Sequence, residues 1–134
     1  MLKKVFCVDD DSIALMLYKM VIKKAAFTDE IITAFNGQEA LEYYDTLLSE
    51  NSEPMDYPEL IFLDLNMPIM GGWEFLERFS NEEYAAFRGT KVIILSSTID
   101  PADLRRVGEF PIVIDFLSKP ISKEMLENLK SKWM

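Results

Sequence analysis

No histidine occurs in these 134 residues. That absence removes Ser-His-Asp and Cys-His catalysis within the chain, and every metal site that uses imidazole. Cysteine is nearly as scarce. The one thiol, Cys7, forms no internal disulfide, and its position in the apolar run V-F-C-V reads as a small buried hydrophobe. No apolar stretch approaches the roughly 20 residues that a bilayer-spanning helix needs. The N-terminal M-L-K-K-V-F-C-V-D-D-D stops in three acids, where a signal peptide would run on to a small-residue cleavage site. Positive charge is in deficit: 14 basic residues stand against 23 acidic ones, for a net charge of −9. Such a surface repels phosphate backbones, so nucleic-acid binding is not expected. The expectation is a cytoplasmic protein without membrane insertion. Its chemistry is left to carboxylates, hydroxyls, lysine, backbone groups or a bound ion.

What is present is a core. Apolar residues make up 49% of the chain, and its length suits one domain over residues 1–134 with no second module. Short apolar runs alternate with helical patterns. Strands are expected at Lys4–Val8, Glu30–Phe35, Leu60–Leu63, Lys91–Leu95 and Ile112–Leu117. Between them, helices are expected at Ser12–Ala25, with Ile13, Leu17, Met20 and Val21 on one face, and at Gln38–Leu48. A helix carrying Trp73, Phe75, Leu76 and Phe79 follows Gly71-Gly72. A short one spans Pro101–Val107, with Pro101 in its first turn and Gly108 at its end. Ser122–Trp133 closes the chain as a helix with Met125, Leu126, Leu129 and Trp133 on one side. Residues 49–58 are polar, hold two prolines and read as a loop of no assigned role. Trp73 and the eight methionines read as core filling. Five βα units with strands this apolar imply an α/β fold, a parallel sheet covered by helices on both faces.

In such a sheet ligands bind beyond the carboxyl ends of the strands. Four strands end in polar residues: Asp9, Asp10 and Asp11 after the first, Asp64 after the third, Ser96, Ser97 and Thr98 after the fourth, Ser118 and Lys119 after the fifth. One of Asp11 and Ser12 is expected to cap the first helix. Converging carboxylates repel one another unless a positive charge holds them ionised. Lys119 and a hard divalent cation such as Mg²⁺ both fit that need. The same set could perform phosphoryl transfer to a carboxylate, with Asp64 as nucleophile and cationic groups stabilising the phosphoryl oxygens.

The motifs V-D-D-D at 8–11, L-D-L-N-M-P-I-M-G-G at 63–72, I-I-L-S-S at 93–97 and F-L-S-K-P at 116–120 together resemble the response-regulator receiver domains of bacterial two-component signalling. The resemblance spans essentially the whole chain. It implies a (βα)5 doubly wound, flavodoxin-like receiver fold with strand order 2-1-3-4-5. It implies that Asp64 accepts a phosphoryl group and that Asp9, Asp10, Asp64 and the backbone carbonyl of Asn66 hold Mg²⁺ or Mn²⁺. Ser96 matches the hydroxyl that moves on activation, and Lys119 the phosphate-binding lysine. Pro120 matches a proline that follows a cis peptide bond. Phe116 matches the switch aromatic, a tyrosine in the chemotaxis member, and Asn66 and Thr98 should tune the phosphoryl lifetime.

The implied partners are a sensor histidine kinase or a histidine phosphotransfer protein, then a downstream protein. A homodimer through the face of helix 4, strand 5 and helix 5 is a further expectation. The chain would not turn over a separate substrate. A haloacid-dehalogenase-type phosphatase wants a second Asp two residues after the nucleophile, where Asn66 stands. A flavodoxin-like electron carrier wants a hydroxyl-rich phosphate loop after strand 1, where D-D-D stands. A pure interaction module without phosphorylation remains the alternative within the same fold.

Overall fold

The structure, a computed structural model, describes residues 2–50 and 56–133, with Trp133 described for its backbone alone. Five strands, β1 (Leu2–Val8), β2 (Thr28–Ala34), β3 (Leu60–Leu63), β4 (Lys91–Ser96) and β5 (Val113–Ser118), form one sheet in the order β2-β1-β3-β4-β5. Every neighbouring pair is parallel. The helices are α1 (Ser12–Lys24), α2 (Gly37–Glu50), α3 (Gly72–Phe79), α4 (Pro101–Val107) and α5 (Lys123–Trp133), and a 3-10 turn covers Glu82–Phe87.

Strand periodicity divides the core in two. Successive side chains point to opposite faces. Phe6, Val8, Ile61, Leu63, Val92 and Ile94 therefore join one cluster with α2 and α3. Val5, Cys7, Leu60, Phe62, Ile93 and Leu95 join the other with α1 and α5. Aromatic rings dominate the first: Tyr44 lies 4.6 Å from Phe79 and 4.7 Å from Phe87, centroid to centroid. Burial on both faces holds for β1, β3 and β4. It fails at the edges, where β2 exposes Asp29 and Glu30 and β5 is mostly half-buried. An edge strand has only one neighbour to cover it.

Several sequence expectations shift. The register Leu2↔Thr28 through Val8↔Ala34 starts β1 and β2 two residues early and leaves Phe35 outside the sheet, 47% exposed. Ser49 and Glu50 belong to α2, not to a loop; Leu47 and Leu48 still pack on the core and draw the helix onward. Residues 51–55 of that expected loop lie outside the described residues. The face expected for α1 is wrong at Ile13, Leu17 and Met20, although Val21 does pack against the core. Leu15, Tyr18 and Ile22 are buried, while Ile13, Met16, Leu17 and Met20 face outward. This helix is apolar on two sides, so periodicity alone does not choose its phase. A buried hydrogen bond from the Tyr18 hydroxyl to Asp9 (2.7 Å) goes with the side that packs. Met16 and Met20 are thus not core filling.

Trp73 is half-buried and ties α3 to α4. Its Nε1–H donates to Asp103 (3.0 Å), its ring stacks on Phe110, and the Arg106 guanidinium lies 4.9 Å from its centroid. None of the seven residues of α4 is buried. That short helix is held at the surface largely by such contacts.

Close backbone approach explains Gly72. A Cβ there would stand 2.6 Å from the Asp64 carbonyl oxygen, a group that cannot retreat without moving the strand end. At Gly108 the nearest atom would be 3.5 Å away. Gly72→Ala is expected to lower unfolding free energy in urea by about 1–3 kcal/mol, and Gly108→Ala to stay within about 0.5 kcal/mol.

Candidate functional site

Three strand ends deliver the site. β1 hands the chain to Asp9, whose backbone N–H donates to Ala34 of β2 (3.1 Å). β3 hands it to Asp64, whose N–H donates to Val8 of β1 (3.0 Å). β5 ends at Ser118, and the N–H of the next residue, Lys119, donates to Ser96 on β4 (2.9 Å). The sheet's own ladder thus fixes the backbone beneath each functional side chain.

The ammonium of Lys119 closes the arrangement. Its Nζ lies 2.6 Å from Asp9 Oδ2 and 3.3 Å from Asp64 Oδ1. Asp9 is fully buried and Asp64 is 7% exposed, so two carboxylates share one half-buried cation. Asp9 has two further donors: the Tyr18 hydroxyl on Oδ2 and the Asp11 N–H on Oδ1 (3.0 Å). Asp11 itself caps α1, accepting from Ile13 N–H (2.9 Å). The Lys119–Pro120 peptide is cis.

Electrostatics follow from burial. The Asp64 carboxyl is raised above its ordinary value, first by burial and then by the charge of Asp9, with Lys119 pulling the other way. Burial alone would lower Lys119, but the hydrogen bond and charge of Asp9, together with Asp64, raise it. The ammonium therefore stays charged. Burial, then the hydrogen bond to Asp9, pushes the Tyr18 phenol up, so it donates and does not ionise. Burial lifts the Cys7 thiol to about 12, with Asp9 adding to it, which leaves that thiol inert.

Asp10 is exposed beside this pair. One oxygen from each of Asp9, Asp10 and Asp64 lies within 4.8 Å of the others. Three carboxylate oxygens at that spacing suit a hard divalent cation, which takes oxygen ligands. The same residues carry more negative charge than Lys119 neutralises.

The other expected residues lie on or just beyond β3, β4 and β5. Asn66 is exposed in the loop after β3. In that loop Ile69 takes φ 69°, a left-handed conformation unusual for a β-branched residue, and the following Met70 carbonyl accepts from Gly37 N–H (2.8 Å). Ser96 is buried, and its hydroxyl donates to the Thr98 carbonyl (2.7 Å). Phe116 is half-buried against the cluster of α2 and α3.

Comparison with known proteins decides the family. The response regulator receiver domain family matches residues 5–130. This chain belongs to that family. The receiver is 33% identical to protein PilG of Pseudomonas aeruginosa, over 92% of this chain and 81% of PilG. It is 28% identical to the probable methanogenesis regulatory protein FilR2 of Methanothrix harundinacea, over 97% of this chain and 83% of the relative. Among solved structures, a two-component response regulator from Cytophaga hutchinsonii superposes with a TM-score of 0.85 at 28% identity, covering 98% of the receiver and 96% of that chain. The strand order and alternating helices are those of a receiver domain.

Sequence reading missed Tyr18. It was hidden in an apolar stretch, and only the fold shows its hydroxyl reaching Asp9 from α1. The missed signal was its spacing. Leu15, Tyr18 and Ile22 form a second apolar stripe, and a tyrosine in a buried stripe needs a partner for its hydroxyl. Tyr18→Phe strips a donor from a buried carboxylate and is expected to lower unfolding free energy by about 1–3 kcal/mol in urea. Tyr84→Phe, whose hydroxyl meets the exposed Asp45, should cost about 1 kcal/mol or less by the same measurement.

Proposed function

We propose that this receiver is a response regulator that takes a phosphoryl group on Asp64 from a phosphohistidine donor. The observation that carries the reading is Asp64 itself: a nearly buried carboxylate at a strand end, next to a charged lysine and inside an acidic cluster. A structural carboxylate gains little from neighbours that repel it. A nucleophile held for reaction with a phosphoryl group gains from a site already built for charge.

The chemistry is in-line displacement at phosphorus. An Asp64 oxygen forms the new P–O bond as the P–N bond to the donor imidazole breaks, and the imidazole leaves with the electron pair of that bond. These residues contain no histidine, so the donor imidazole lies outside them, on a sensor histidine kinase or a histidine phosphotransfer protein. Magnesium, or manganese, held by Asp9, Asp10, Asp64 and the Asn66 carbonyl, would neutralise charge on the carboxylates and the phosphoryl oxygens. Asp9 stays oriented by Tyr18 and the Asp11 N–H. Lys119 is free to exchange a carboxylate partner for a phosphoryl oxygen, because its charge persists. Water later hydrolyses the acyl phosphate in the same site, at a rate that Asn66 and Thr98 would tune. No separate substrate is turned over.

The signal leaves by a shift between two packings. Ser96 now donates to Thr98; a phosphoryl oxygen on Asp64 offers its hydroxyl a charged acceptor instead. Moving that hydroxyl loosens the start of the β4–α4 connection, and Phe116 repacks inward. The face of α4, β5 and α5 then changes for a downstream protein or a second phosphorylated copy. The lack of burial in α4 favours this, since little core must be broken to move it.

Intact mass after incubation with acetyl phosphate and Mg²⁺ tests the reading. The expected result is a labile gain of one phosphoryl group, blocked by EDTA and absent in Asp64→Asn. A folded protein that gains nothing, and does not respond to beryllofluoride, would leave a phosphorylation-independent binding module.

A further inference from the structure

The outward side of α1 is not used by anything described so far. Ile13, Met16, Leu17 and Met20 are 69%, 58%, 38% and 52% exposed, and their spacing of three, one and three residues places them in one stripe opposite the buried Leu15, Tyr18 and Ile22. Scattered exposed apolar residues are ordinary; four in a row along one 13-residue helix mark a contact surface. The Phe35 ring, 47% exposed at the end of β2, borders the Met16 side and extends it.

Charge on this helix is polarised. The acids Asp10 and Asp11 stand at its N-terminal end, and Lys23 and Lys24 occupy its last turn, all exposed. The geometry points to a second copy of this chain as the occupant, with two α1 helices packed antiparallel about a two-fold axis near Met16 and Leu17. A two-fold contact requires a surface complementary to itself. In this register Ile13 meets the partner's Met20, Met16 meets the partner's Leu17, and the acidic end of each helix meets the lysine end of the other. A parallel pairing would instead set Lys23 and Lys24 against their own copies. Antiparallel helices of this kind pack ridges into grooves over about 20 Å of length.

The pairing has a consequence for the site, and this consequence alone rests on the phosphoryl-acceptor reading. Asp10 flanks the stripe, so a paired α1 narrows access to the acidic cluster from that side. Dimer and phosphodonor would compete, and phosphorylation by a protein donor would slow as the receiver is concentrated.

Sedimentation equilibrium in EDTA, without any phosphodonor, tests the pairing independently of Asp64 chemistry. The expected result is a reversible dimer in the micromolar to millimolar range. The double variant Met16→Glu with Leu17→Glu should weaken it more than roughly tenfold. Lys23→Glu should weaken it too, by placing acid against acid. Ile114→Glu, on the exposed side of β5, should leave it unchanged. Circular dichroism checks that each variant is folded; both residues of the double variant are already exposed to water. A wild-type protein that stays monomeric across the range would overturn the proposal and assign the stripe to a helix of another protein. A dimer lost in Ile114→Glu and kept in Met16→Glu with Leu17→Glu would overturn it as well, and move the interface to β5.

Discussion

One cation between two buried carboxylates organises this receiver. Lys119 arrives from β5, Asp9 from β1 and Asp64 from β3, so a single ammonium bridges three strands that are not all neighbours in the sheet. Removing Lys119 would leave two carboxylates unpaired at low exposure, which is more damaging than the intact cluster is helpful, whereas removing Asp64 leaves Lys119 paired with Asp9. Tyr18 extends the dependence to α1 and the Ser96 carbonyl extends it to β4. The cluster is nonetheless unbalanced. With Asp10 beside it, three carboxylates face one lysine, and the Asp64 carboxyl is raised, first by burial and then by the charge of Asp9. An apolar core of this quality could tolerate that local cost, and the proposed chemistry gives a reason for the site to keep it.

Much of this was legible in the chain. The strands β1, β3 and β4 are continuous apolar runs with polar residues just past their ends, so their type and carboxyl-end residues followed from pattern, while their order in the sheet was implied by the family resemblance. Lys119 and Asp64 could be placed at one end of the sheet on that basis. The edge strands were blurred because half-buried β2 mixes acids with isoleucines, and pairing with β1, not hydropathy, sets its limits. The phase of α1 was misread because both of its sides are apolar. Tyr18 chooses between them through a contact nine residues away in sequence but fixed only by the fold. The Trp73 contacts were invisible for the same reason, since Asp103 lies 30 residues further along. Sequence period reports burial; it does not report which polar atom a buried ring will find.

The two sides of the molecule differ in how firmly they are built. Aromatic packing fixes α2, α3 and the 3-10 turn against β1 and β4. By contrast, α4 buries no residue and depends on Trp73, Arg106 and their polar partners, including an ion pair between Arg106 and Glu77. Contacts of that kind are weak and reversible at a surface. A rigid wall beside a loosely held helix lets a small change at Ser96 be expressed in α4 without disturbing the strands that hold Asp9 and Asp64.

The central claim is that Asp64 is held at a cost to stability. Because its folded carboxyl is raised above the ordinary value near 3.8, the folded chain binds more protons than the unfolded one just above that value. Stability from this group therefore falls as pH rises through the window, and the loss persists at neutral pH. Thermal unfolding of the wild type and Asp64→Asn in EDTA, followed across that window and at neutral pH, tests this directly. The account predicts a midpoint for Asp64→Asn a few degrees above wild type at neutral pH, with a shallower fall as pH rises. A lower midpoint with an unchanged pH dependence would contradict it, and would make Asp64 a stabilising partner of Lys119.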